Sequence, residues 1–158
     1  MKDTCDDVGV VHVRDDPPTI IYPNGDREWW FQNGRRHRGN DLPAVEYVNG
    51  DREWYQNGRQ HRDNGLPAVE YANGGREWFQ NGSRHRDHDL PAIEWVNGTQ
   101  HWYQDGQRHR GGGLPAVIRA NGTQEWWMIG RRHRDSGLPA VIRTDGSQEW
   151  WVNGQRTA

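Results

Sequence analysis

The sequence predicts an all-β chain in which tandem 24-residue β-hairpin units form an elongated, twisted, single-layer antiparallel sheet. Three observations carry that expectation. HRGNDLPA at 37–44 returns as HRDNGLPA at 61–68, HRDHDLPA at 85–92, HRGGGLPA at 109–116 and HRDSGLPA at 133–140, so five His-Arg pairs stand 24 residues apart. A fixed period of that size means one supersecondary unit stacked on copies of itself. The units carry Asn-Gly or Asp-Gly steps around an aromatic segment, as in Asn49-Gly50, DREWYQ and Asn57-Gly58, which is the strongest short hairpin signal. Finally, large aromatic residues recur at two adjacent positions of every unit, which gives each face of a strand its own stripe.

In chain order, residues 1–16 (MKDTCDDVGVVHVRDD) fall outside the repeat and read as an N-terminal segment suited to capping the array. Residues 17–158 read as about six units, the first and last incomplete, and PPTIIYPNG at 17–25 matches LPAVEYVNG in outline. The first unit is one residue longer, because Asn24 to Asn49 spans 25 residues and His37 to His61 spans 24; a β-bulge within 28–32 would absorb the difference. Two strands per unit are expected, with a short extra pairing at the His-Arg segment. A two-residue primed turn at Asn49-Gly50 sets Glu46 opposite Glu53 and Val45 opposite Trp54. One face then collects Trp54, Val45, Tyr47 and Arg52, and the other Tyr55, Glu53, Glu46 and Ala44. Repeated by 24, the first face holds a structural column of Trp54, Trp78, Trp102, Trp126 and Trp150, and the second holds Tyr55, Phe79, Tyr103, Trp127 and Trp151. The Leu66-Pro67 segment and its copies are expected to fold over one face. The strand before Asn153-Gly154 is left as an edge that calls for protection or a partner.

Leu, Ile, Val and Phe number only 24 of 158 residues, a share that by itself points toward disorder. The net charge of -2 and ten Trp with five Tyr point the other way, to an ordered chain with a thin aromatic core. Near-neutral charge argues against specific nucleic-acid binding. A single Cys, Cys5, excludes an internal disulfide and fits a reducing compartment. With no signal peptide and no apolar run of membrane-spanning length, the chain reads as soluble and intracellular, in the cytoplasm.

EWFQNGSRHRDHDLPAIEWVNG at 77–98 resembles the membrane occupation and recognition nexus (MORN) repeat and its variant forms. The shared elements are the aromatic strand, the Asn-Gly followed by a basic-His step, and an alternating strand closed by a second Asn-Gly; the resemblance covers residues 17–154. It departs where the common pattern has Gly after the His, since Arg38, Arg62, Arg86, Arg110 and Arg134 stand there, and where Leu-Pro-Ala replaces a Gly-Thr-Leu-like step. The resemblance implies single-layer hairpin arrays that serve as scaffolds and protein-interaction modules, with lipid binding proposed for some. Units of this type are also similar to repeats in proteins of large DNA viruses and some phages, which implies a virion as one setting. Fold likeness alone does not fix function.

No catalytic, metal or cofactor site is expected. The His column has copies about 9.6 Å apart, too far to share one ion. Glu46 with Glu53 and Glu70 with Glu77 would suit a glycosidase pair, but a one-layer ribbon offers little concavity, so a structural ladder neutralised by the Arg of each His-Arg pair is preferred. Nineteen of twenty basic residues are Arg, which suits stacking on Trp and forking onto carboxylates. Glu46, Glu70 and Glu94 give way to Ile118 and Ile142, while Tyr47, Tyr71 and Trp95 give way to Arg119 and Arg143. Ile118, Arg119, Trp127, Ile142, Arg143 and Trp151 are therefore the candidate interaction surface. The expected function is a non-enzymatic scaffold that binds other proteins or itself through the C-terminal edge. The alternatives are an anionic lipid or polyanion along the Arg column and, less favoured, a sugar-stacking platform.

Overall fold

The computed structural model describes residues 17–31 and 33–157 and, of the first sixteen, only the backbone of Thr4–Cys5 and Val11–His12, which pair antiparallel. The cap expected at 1–16 otherwise lies outside the described residues. The rest is all-β. Twelve two-residue strands form one open antiparallel sheet whose spatial order follows the chain, from Ile20–Ile21 at one edge to Gln148–Glu149 at the other. We number the units 1 to 6, starting at 20, 45, 69, 93, 117 and 141.

Each unit from the second onward has four short strands, where the sequence suggested two. After its two strands in the main sheet the chain forms a separate lateral hairpin, Tyr55–Gln56 with Arg59–Gln60 in unit 2, repeated through Trp151–Val152 with Gln155–Arg156 in unit 6. The extra pairing thus precedes the His-Arg pair.

The two Asn-Gly steps of a unit fold differently. At Asn57-Gly58 both residues have positive φ, 51° and 80°, as a two-residue primed turn requires. At Asn49-Gly50 only Gly50 does (94°), its N–H bonds the Tyr47 carbonyl, and Tyr47 N–H bonds the Asp51 carbonyl. That is a three-residue loop, a type I turn closed by a Gly bulge. Asn49 stabilises it through its side chain, accepting the Asp51 N–H at 2.9 Å.

One additional loop residue shifts the pairing by one and so exchanges faces. Val45 lies opposite Glu53, and Glu46 opposite Arg52. The expected Glu46–Glu53 and Val45–Trp54 pairs do not form, and Glu46 and Glu53 lie on opposite faces. The extra residue of unit 1 is also taken up in a turn rather than in a strand bulge: Gly34 N–H bonds the Phe31 carbonyl and Phe31 N–H the Arg35 carbonyl, enlarging the lateral turn from two residues to three.

The corrected register defines two faces. The Trp face carries Ala44, Glu46, Arg52 and Trp54; the Glu face carries Val45, Tyr47, Glu53 and Tyr55. On the Trp face Trp54 N–H bonds the Ala68 carbonyl, and Trp78, Trp102 and Trp126 likewise bond Ala92, Ala116 and Ala140. Large and small residues therefore alternate across the sheet, the five Ala being 0% exposed and Trp29, Trp54, Trp78, Trp102 and Trp126 no more than 6%. On the Glu face Val45, Val69, Ile93, Val117 and Val141 are buried. A sheet with few aliphatic residues thus builds two thin cores, and Trp supplies most of the burial of one of them.

Candidate functional site

Every Trp of the structural column makes the same indole hydrogen bond, and Trp54, Trp78, Trp102 and Trp126 are also covered by an Arg. The indole N–H donates to a carbonyl 13 residues earlier in the preceding loop, Asp41, Gly65, Asp89, Gly113 and Gly137 for Trp54, Trp78, Trp102, Trp126 and Trp150. The Arg of the following His-Arg pair lies on the ring, 3.8 Å from the centroid for Arg62 on Trp54 and 3.6 Å for Arg86 on Trp78 and Arg134 on Trp126. Such a cation covers the ring while its own head is held by acceptors. Each of these Arg residues also donates to the carbonyl of the Pro five residues on.

The His of the pair ties neighbouring units together. Nδ1 of His37, His61, His85, His109 and His133 accepts the N–H of the residue 20 positions on, the first residue of the next lateral turn. Because Nδ1 accepts, the ring proton sits on Nε2, which donates to Asp63, Asp87 and Asp135 from His61, His85 and His133. That hydrogen bond holds the Asp63 carboxyl below its usual range. The column is thus a repeated bridge between units.

The carboxylates that meet the stacked Arg differ from unit to unit. Arg38 and Arg86 pair with Glu46 and Glu94, at 3.3 and 3.0 Å. Arg62 is held by Glu70 at 3.0 Å and by both oxygens of Asp41, and Arg110 by Asp89. Arg134 has neither kind of partner: Gly113 stands at the Asp position, Ile142 at the Glu position, and among the described residues no carboxylate pairs with it. Burial alone moves the Arg134 guanidinium below its usual range.

Clefts open between successive His-Arg loops, about 290 Å³ in volume between 37–41 and 61–64, 380 Å³ between 61–66 and 85–90, and 270 Å³ between 109–114 and 133–138. They have the same architecture and different charge. The first holds Asp41 and Asp63, whereas the third keeps Asp135 at the place of Asp63 and has Gly113 at the place of Asp41.

On the Glu face a column of carboxylates runs through Glu28, Glu53, Glu77, Glu125 and Glu149, with Glu28, Glu77 and Glu125 buried. In units 2 and 3 the Tyr47 and Tyr71 hydroxyls donate to Glu53 and Glu77, and burial beside the carboxylate pushes Tyr47 up to about 12. In units 5 and 6 Arg119 and Arg143 take over those bonds, to Glu125 and Glu149. A second Arg row stacks between the rings of adjacent units, Arg108 between Tyr103 and Trp127 and Arg132 between Trp127 and Trp151, at 4.6 to 5.5 Å. Unit 4 breaks the pattern: His101 replaces the Glu and Trp95 the Tyr. Burial, with Arg108 and Arg119 nearby, drops His101 to about 4, so it is neutral at physiological pH. Gly75 accommodates Trp95, since a Cβ there would come within 3.0 Å of its ring.

The six residues chosen from the sequence as an interaction surface divide between the faces. Ile118 and Ile142 lie half-buried on the Trp face, aligned with Gln124 and Gln148. Arg119, Trp127, Arg143 and Trp151 lie on the Glu face, where both Arg residues are taken up by the Glu column. Ile118 and Ile142, expected beside Trp127 and Trp151, thus lie on the opposite face from them. Sequence reasoning overlooked Arg134, although the Gly at 113 where 41 and 89 have Asp was a visible signal. Among the described residues no group of three or more His, Cys, Asp or Glu is placed to hold a metal, and no helix is long and apolar enough to cross a membrane. No protein-family model and no curated protein matches the chain.

Proposed function

We propose that this chain is a non-enzymatic scaffold of MORN-like repeats that binds other proteins through units 5 and 6 on the Trp face. The observation that carries the reading is the division between constant and varied positions. Trp, Ala, His and the stacked Arg recur and are consumed by the framework, while the cross-strand column beside them, half-buried in units 4 to 6, changes from Arg52, Glu70, Arg76 and Glu94 to Gln100, Ile118, Gln124 and Ile142. Aliphatic side chains flanked by amides, on a flat face with shallow clefts beside it, suit a protein partner better than a small substrate. The register also removes the cross-strand carboxylate pairs on which a glycosidase reading would rest. Four of the five stacked Arg residues already meet carboxylates, which favours a protein over a lipid surface or other polyanion along that column.

Native mass spectrometry of the full chain and proximity labelling in its source cells test this. A defined complex, or a dimer formed through the Gln148–Glu149 edge, is the expected result. A strict monomer with no labelled protein would overturn it.

A further inference from the structure

We infer that the cleft between the 109–115 and 133–139 loops is a carboxylate-binding site, with Arg134 as its cation and an acidic side chain of a polypeptide partner as its ligand. The inference rests on the scaffold reading and gives it a chemistry. The comparison is internal to the molecule. Asp41 reaches Arg62 through two hydrogen bonds of 2.7 and 2.8 Å, and Asp89 meets Arg110 with contacts of 2.8 to 3.1 Å. In each case the Asp belongs to the preceding loop, 21 residues earlier, and its own carbonyl accepts the indole N–H on which the Arg stacks. Gly113 repeats that frame without the side chain: its carbonyl accepts Trp126 Nε1–H at 2.7 Å, and a Cβ built on it would meet nothing within 4 Å.

The volume that a carboxylate fills in two other units is therefore open in front of Arg134. The guanidinium is fixed by Trp126 and the Pro139 carbonyl, and among the described residues no carboxylate meets its remaining donors. Gly111 stands where Asp63, Asp87 and Asp135 follow His61, His85 and His133, so His109 in the same cleft has no such partner among the described residues, and Asp135, the carboxylate that does line the cleft, is engaged by His133 at 2.8 Å. Leu114, Leu138 and Met128 line the cleft and are all exposed. An acidic group flanked by apolar side chains matches that lining, and a planar guanidinium prefers a forked carboxylate.

The test is a titration of the full chain, followed through the Arg134 Nε–H and Trp126 indole NMR signals, with three probes: a capped Leu-Glu-Leu peptide, acetate and inorganic phosphate. Saturable shifts with the peptide, at an affinity above those of acetate and phosphate, are expected. Arg134→Gln should weaken peptide binding by about tenfold or more, as expected for loss of a charged hydrogen bond. Gly113→Asp should abolish it by supplying the missing carboxylate internally. This second variant is expected to fold, because Asp41 and Asp89 hold φ of 55° at the same place where Gly113 has 70°. Absence of a saturable shift, tighter binding of phosphate than of peptide, or undiminished binding by Gly113→Asp would overturn the inference. The scaffold reading fails separately, if no complex is found by native mass spectrometry while the peptide binds as described.

Discussion

Units 2 and 3 and units 5 and 6 share a backbone and distribute charge in opposite ways. In units 2 and 3 the Trp face is the charged one: Arg62 meets Glu70 and Asp41, and Arg52 lies between Glu46 and Glu70 in the ladder. Their Glu face relies mainly on neutral donors, the Tyr47 and Tyr71 hydroxyls and Gln60, with Arg84 as a charged donor to Glu77. In units 5 and 6 the Trp face loses its carboxylates to Ile118 and Ile142, and the Glu face gains Arg119 and Arg143. The adjacent substitutions at 118 and 119 thus remove negative charge from one side of the sheet and add positive charge to the other. A repeat can keep its framework and still present a different surface, provided that each buried carboxylate retains donors.

The comparison can be broken most severely at the Glu column. Glu125→Gln leaves Arg119 and Arg132 without their carboxylate, whereas Glu77→Gln strands only Arg84. Since the Arg heads are partly exposed, the first should cost roughly 3 kcal/mol and the second nearer 2, read from denaturant midpoints. The stacked Arg gives the next contrast, in the reverse order. Arg62→Ala removes two carboxylate contacts and should cost about 2 kcal/mol, while Arg134→Ala removes stacking and one carbonyl bond and should cost about 1 kcal/mol. Equal losses would show that Asp41 and Glu70 do not distinguish the two units.

The junction between the two halves should show itself in pH. His101 is depressed in the fold to about 4, against an ordinary value near 6.5. The unfolded chain therefore takes up the proton first, and stability is lost as pH falls from about 6.5 toward 4. His101→Gln should flatten the thermal midpoint over that window. The loss at lower pH should persist in the variant, since Glu125 and Glu149, held below the usual carboxylate range, are protonated there. An effect as small as that of Arg134→Ala is expected from Tyr71→Phe, which removes one hydroxyl donor from Glu77, about 1 kcal/mol. A change at Tyr71 as large as that of Glu125→Gln would erase the distinction between neutral and charged donors.

The period and the aromatic columns were legible in the sequence because each unit repeats its Trp, Ala and His-Arg at one spacing. Register was not, because Asn-Gly serves two turn types. Asn57 takes positive φ in a tight turn; Asn49 instead uses its side chain to cap a bulged one. That one-residue difference moved Glu46 away from Glu53 and divided the interaction patch between faces. Stacking of Arg on Trp followed from composition, while the open place before Arg134 emerged only once Asp41 and Asp89 were seen to reach across 21 residues.

The most direct test of the account is a hydrogen-exchange footprint of the full chain in complex with its partner. Protection concentrated at 109–118 and 133–142, with units 2 and 3 unchanged, is the result the account requires. Protection confined to 45–94 would contradict it.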